Sequence, residues 1–143
     1  TLAVIDAEID KNSEGVFFAL GGIASGFTVY LDKGILKAEY NAMTLDRYKI
    51  ASESAIATGK VKIEVETKYD SKERMAPATV TLKVNGEQVG QGRIERSVPA
   101  QHSAFETFDV GEDLGSPVAL DYYDRAPFEF SGKINKIDIR YLD

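Results

Sequence analysis

The sequence predicts an all-β chain folded as a two-sheet antiparallel jelly-roll sandwich, and three observations predict it. Apolar and charged residues alternate with period two in one short run after another, with turn signals between the runs. Helical periodicity is nearly absent: the best window, Tyr40 to Arg47, is too short and too mixed to hold a helix by itself. About ten to twelve strands of ordinary length use up the chain, and that many strands must split into two packed sheets or close into a barrel. The 143 residues, 43% hydrophobic and 28% charged, suit one globular core spanning 1–143.

The strands follow in order. Ala3, Ile5, Ala7 and Ile9 alternate with Asp6, Glu8 and Asp10, so the first run has one apolar and one acidic face. Gly15 to Leu20 is a second candidate. Phe27 to Leu31 and Ile35 to Tyr40 form a hairpin across a three-residue connection, Asp32-Lys33-Gly34. Arg47 to Ala51 follows, and then Val61, Ile63 and Val65 alternate with Lys62, Glu64 and Glu66. Val80, Leu82 and Val84 lead into Asn85-Gly86, the pair best suited to the positive φ angles of a type I′ turn, before Glu87-Gln88-Val89 starts back. Gly92 to Glu95, Ala104 to Val110 and Lys133 to Leu142 complete the set. In the last of these Ile134 has the opposite parity from Ile137, Ile139 and Tyr141, which predicts a bulge near Asn135 and Lys136. Gly111 to Pro127 has no period and several breakers, so it reads as the one long loop, the kind of segment where function concentrates on a rigid sandwich.

Charge and composition remove several classes of function. Seventeen Lys and Arg against twenty-three Asp and Glu give a net charge of -6, which opposes binding to phosphate backbones, so neither nucleic acid nor an anionic membrane is an expected partner. With no Cys there is no disulfide, thiolate zinc site or Cys nucleophile. His102 is the only histidine, so any Ser-His-Asp arrangement would have to use it, and the spacing implies no partner for it. Gly90-Gln91-Gly92 lacks the third glycine of a dinucleotide fingerprint, and these glycines read as places of close sheet packing. The chain opens at Thr1 directly in a strand-like pattern, which reads as a piece of a longer protein.

Three acidic or aromatic constellations carry chemistry. Asp6, Glu8 and Asp10 lie on one strand face roughly 7 Å apart, within the span of the paired carboxylates of glycoside hydrolysis. This alternating acidic strand is similar to that of jelly-roll glucanases, although the chain has no Trp to bind a sugar ring and a solvated strand has the same pattern. Asp109, Glu112, Asp113, Asp121 and Asp124 fall in one irregular segment and could supply the oxygens of a calcium site; the plainer reading is that they cap turns and accept N–H bonds. Tyr122, Tyr123, Phe128 and Phe130 could present an aromatic platform to a sugar or peptide, or pin the long loop to its own sandwich.

The run Gly92-Arg93-Ile94-Glu95-Arg96-Ser97-Val98-Pro99, followed by Phe105-Glu106-Thr107-Phe108-Asp109-Val110-Gly111-Glu112-Asp113-Leu114-Gly115-Ser116-Pro117-Val118, resembles the C-terminal, non-catalytic domain of long bacterial arylsulfatases. Gly26-Phe27-Thr28-Val29-Tyr30, Tyr40-Asn41 and Phe128-Glu129-Phe130-Ser131-Gly132-Lys133-Ile134 fall in the order that domain uses, and the likeness covers nearly the whole chain. The resemblance implies a concanavalin A-like, laminin G-like jelly roll, cut from a longer sulfatase and partnered by the catalytic domain of the same chain. Sulfatases use a Cys or Ser in a C/S-x-P-x-R signature, oxidised to formylglycine. Ser97-Val98-Pro99-Ala100-Gln101 comes nearest and has Gln where Arg is needed, so catalysis is not expected of this chain. The expected role is that of an accessory domain, structural or in contact with substrate, with a carbohydrate-binding module or a jelly-roll glycosidase as alternatives. Likeness to laminin G and lectin domains adds carbohydrate and calcium as candidate ligands by analogy.

Overall fold

The computed structural model describes residues 1–97 and 108–141. Ten strands run β1 (Leu2–Ile9), β2 (Gly15–Gly21), β3 (Gly26–Asp32), β4 (Ile35–Ala42), β5 (Asp46–Ala51), β6 (Gly59–Tyr69), β7 (Ala78–Val84), β8 (Glu87–Ile94), β9 (Phe108–Val110) and β10 (Lys133–Arg140). They form two five-stranded antiparallel sheets, β10-β1-β6-β7-β8 and β5-β4-β3-β2-β9. The apolar parity seen in the sequence faces the space between them: Ile5, Ile63 and Leu82 of the first sheet and Val29, Leu36 and Ala38 of the second are fully buried in one core. The candidate strand from Gly92 joins Glu87 to Val89 as a single β8, and the expected bulge is present, since Asp6 pairs with Lys136 and Ala7 with Ile134, leaving Asn135 as the extra residue.

Two local features depart from the alternation. The β3–β4 connection has two residues rather than three, because Asp32 pairs with Ile35; Lys33 and Gly34 both take positive φ, as Asn85 and Gly86 do in the β7–β8 turn. In β2 the register shifts between Val16 and Phe18, so that Phe17 and Phe18 both enter the inter-sheet core while Val16 and Ala19 face the other side. That other side is covered. Residues 111–132, including a short 3-10 helix at Leu120–Arg125, lie across the outer face of the second sheet, where Val118, Ala119, Tyr122 and Phe128 pack with Val16, Ala19 and Tyr30 in a second, smaller core. The molecule thus has three layers: sheet, sheet and loop.

The two flanks of the sandwich differ. At one, β5 lies close against β8: a methyl group at Gly92 would sit 2.6 Å from Ile50 Cγ1, the Glu53 N–H donates to the Val89 carbonyl (3.0 Å), and Arg96 bonds Asp46 (3.1 Å). At the other, an apolar groove opens between β10 and β9, of which Phe108–Val110 are described; the rest of the strand expected from Ala104 lies outside the described residues. Gly92→Ala should therefore cost about 1–3 kcal/mol by overpacking the closed flank, and the cost should shrink in an Ile50→Ala background, where the clashing side chain is gone. Urea unfolding of the two single variants and the double variant measures this; a Gly92→Ala protein as stable as the parent would show that the flank is not tightly closed.

Candidate functional site

Each of the five acids expected to meet in the long loop has its own surroundings. Asp109, on the outward face of β9, accepts the Leu114 N–H (3.0 Å). Asp113 is fully buried; its carboxylate accepts the Val118 N–H (2.8 Å) and the Tyr122 hydroxyl, while its own N–H donates to the Pro127 carbonyl (2.8 Å). Glu112 is half-buried and lines a shallow recess with Glu129 and Phe130, and Asp124 is exposed. Asp121 lies over the second sheet and takes Lys49 on one oxygen (2.7 Å) and Lys37 and the Tyr30 hydroxyl on the other (3.1 and 2.9 Å). Among the described residues no three His, Cys, Asp or Glu side chains gather closely enough to hold a metal ion. N–H, O–H and ammonium donors take those of the five carboxylates that face the protein, and the five do not converge on one point.

The remaining sequence candidates resolve similarly. Asp6 sits between Lys62 and Lys136 and Glu8 between Lys60 and Lys133, so cross-strand charge pairs fill that face. A bond from Asn135 (3.1 Å), aided by Lys133 and Lys60, holds Glu8 below the usual carboxylate range, the reverse of what a proton donor needs. Asp10 accepts the Asn12 N–H (2.7 Å) in the turn. Of the four loop aromatics, Tyr122, Phe128 and Phe130 are buried and pin the loop, and Tyr123 alone is exposed. His102 lies outside the described residues.

The loop layer is held by charge as well as by packing. Arg125 bonds both oxygens of Asp32 (3.2 and 3.3 Å), and its guanidinium lies 4.5 Å from the centre of the Phe128 ring. Arg47 joins the Glu39 carboxylate (3.0 Å) to the Val118 carbonyl (2.8 Å). Partial burial would raise the Asp121 carboxyl, but the bonds from Lys49, Tyr30 and Lys37 outweigh it, and the group titrates well below the usual range. Burial dominates at Glu39 and raises it despite Lys49 and Arg47. Burial, then Asp121, keeps the Tyr30 phenol protonated, and burial, then Asp113, does the same at Tyr122, so both remain donors.

On the flank of β9 and β10 the described residues leave apolar side chains exposed. Between the sheets runs an apolar groove of about 590 Å³, floored by Phe18, Phe27 and Val65 and edged by Phe108, Ile139 and Tyr141. Phe108, Val110, Ile139 and Tyr141 are 45%, 51%, 44% and 90% exposed, side chains on or beside the inward-facing parity of their strands with nothing among the described residues set over them. Its few polar groups include Thr67 and Arg140, so its lining is mostly apolar. Sequence reasoning missed it because strand parity assigns these residues to the core.

No protein-family model matches the chain, and no curated protein matches it. Among solved structures it is similar to a native heptameric SAP-like pentraxin from Limulus polyphemus, at 15% identity and a TM-score of 0.52. The match covers 95% of this chain and 61% of that one, so the chain spans about three fifths of the pentraxin's length. The likeness establishes the fold: a concanavalin A-like jelly roll.

The charge network has a signed pH dependence. A carboxyl whose folded value is depressed contributes stability that is fully present above its unfolded value, about 3.9 for Asp, and is lost as pH falls through the folded one. Asp121→Asn should therefore destabilise the protein at neutral pH, with the gap to the parent narrowing below about pH 4. Urea melts at neutral and acid pH compare them; a gap constant with pH would mean that the lysines do not select the charged form.

Proposed function

We propose that this chain is a non-catalytic accessory domain of an arylsulfatase, with a structural role beside the catalytic domain that hydrolyses the sulfate ester. The reading rests on the sequence resemblance, and one observation supports it further. Of the run Phe105–Val118, one of those that carry the resemblance, the described residues Phe108 to Val118 build the fold: Phe108–Val110 is the edge strand β9, Gly111 accepts the Phe130 N–H and donates to the Phe17 carbonyl (both 2.8 Å), and Asp109 and Asp113 each hold a backbone N–H of the following turn. A motif whose acids are spent on the backbone marks a scaffold, whereas a hydrolytic motif would leave a nucleophile and a proton carrier facing a cleft.

Two measurements test the proposal. The purified chain should not hydrolyse a chromogenic aryl sulfate, and turnover that follows the chain through successive chromatographic steps would overturn the non-catalytic assignment. The coding sequence upstream of Thr1 should continue in frame to a C/S-x-P-x-R signature; a frame without one would overturn the parentage.

A further inference from the structure

The flank of β9 and β10 ends in a strand that nothing among the described residues pairs on its outer side. β10 is the edge of the first sheet, it is eight residues long, and its outward backbone groups form an open template. Beside it lie the exposed apolar groups Ile139, Tyr141, Phe108 and Val110. We infer that β10 pairs antiparallel with β10 of a second copy of this chain about a twofold axis at Ile137, joining the two first sheets and bringing the two apolar flanks together.

The occupant is read from charge complementarity along the strand. In an antiparallel pair, residues directly opposite share a face and interact. With the axis at Ile137, Lys136 of each copy faces Asp138 of the other, giving two opposite-charge pairs, and Ile137 meets its own counterpart on the apolar side. Moving the axis to Asp138 sets Asp138 against itself and Lys136 against Arg140, and moving it to Lys136 sets that lysine against itself, so like charges oppose both registers. An axis at Ile139 pairs Asp138 with Arg140 but leaves Lys133 to Lys136 beyond the paired stretch. The Ile137 register thus combines complementary charge with use of the strand on both sides of its centre. The opposing consideration is that lysines and a bulge commonly guard an edge, and β10 has Lys133, Lys136 and the bulge at Asn135. The guarded-edge reading and the pairing differ in what a charge swap does: exchanging the charges at Lys136 and Asp138 restores a pairing but gives a guarded edge nothing to restore.

The inference stands independently of the arylsulfatase reading. Sedimentation equilibrium of the purified chain, from low micromolar to near-millimolar concentration, should show a monomer–dimer equilibrium. Lys136→Asp should weaken the dimer by roughly tenfold or more, because two attractive pairs become repulsive, and Asp138→Lys should do the same. Combining the two substitutions restores opposite charges in the Ile137 register and should restore association to within a few-fold of the parent. The Ile139 register would not be rescued, since the lysine introduced by Asp138→Lys would still oppose Arg140. Circular dichroism and thermal melting establish that each variant is folded. A parent chain that stays monomeric throughout, a dimer indifferent to Lys136→Asp, or a double variant no better than the single ones would each overturn the inference.

Discussion

The Asp113 carboxylate is fully buried, and the third layer of the molecule is organised around it. A carboxylate removed from water costs several kcal/mol unless donors surround it, and here the donors come from farther along the same loop: the Val118 N–H and the Tyr122 hydroxyl. Bringing both donors to its Oδ2 folds residues 113–122 back on themselves. It also seats Tyr122 edge-on against Tyr30 (5.1 Å between ring centres) and stacked on Phe128 (5.3 Å). With Tyr122 in place, Asp121 comes over Lys37 and Lys49 and Arg125 reaches Asp32. The outward polar residues of β3 and β4, among them Thr28, Glu39 and Asn41, are buried because this loop covers them.

The inter-sheet core was readable from the sequence because it depends on parity. Ala3, Ile5 and Ala7, or Val80, Leu82 and Val84, can point to only one face of a strand, and Asn85-Gly86 fixes where a hairpin turns. The broken parity at Ile134 announced its bulge. The outer layer was less legible, because parity says which way a residue points and not what will cover it. Lys37, Glu39 and Lys49 alternate out of the core as any solvated residues would; Glu39 meets Arg47 and Lys49 on the neighbouring strand, but Asp121, which joins Lys37 and Lys49, comes from the folded loop. The unbroken apolar run Val16-Phe17-Phe18-Ala19 offered one clue that β2 is buried on both sides, since a strand with one wet face alternates.

The acidic loop illustrates the same limit. Counting carboxylates in a segment finds Asp109, Glu112, Asp113, Asp121 and Asp124, but a cation site needs them aimed at one point, and direction is a property of the folded chain. Asp113 turns inward to a backbone amide and a phenol, and Asp121 faces two lysines a layer away. Parity likewise did not show the apolar groove: Phe108, Val110 and Ile139 carry core parity and yet are exposed, while the glycines of β8 let the opposite flank close on β5.

The role given to Asp113 is tested most directly by amide hydrogen exchange in Asp113→Ala beside the parent protein. If the carboxylate holds the loop layer to the second sheet, protection of the Val118 amide should fall much further than that of the Leu82 amide, which lies in the inter-sheet core and reports global unfolding. Equal losses at the two amides, or an unchanged Val118, would contradict the account.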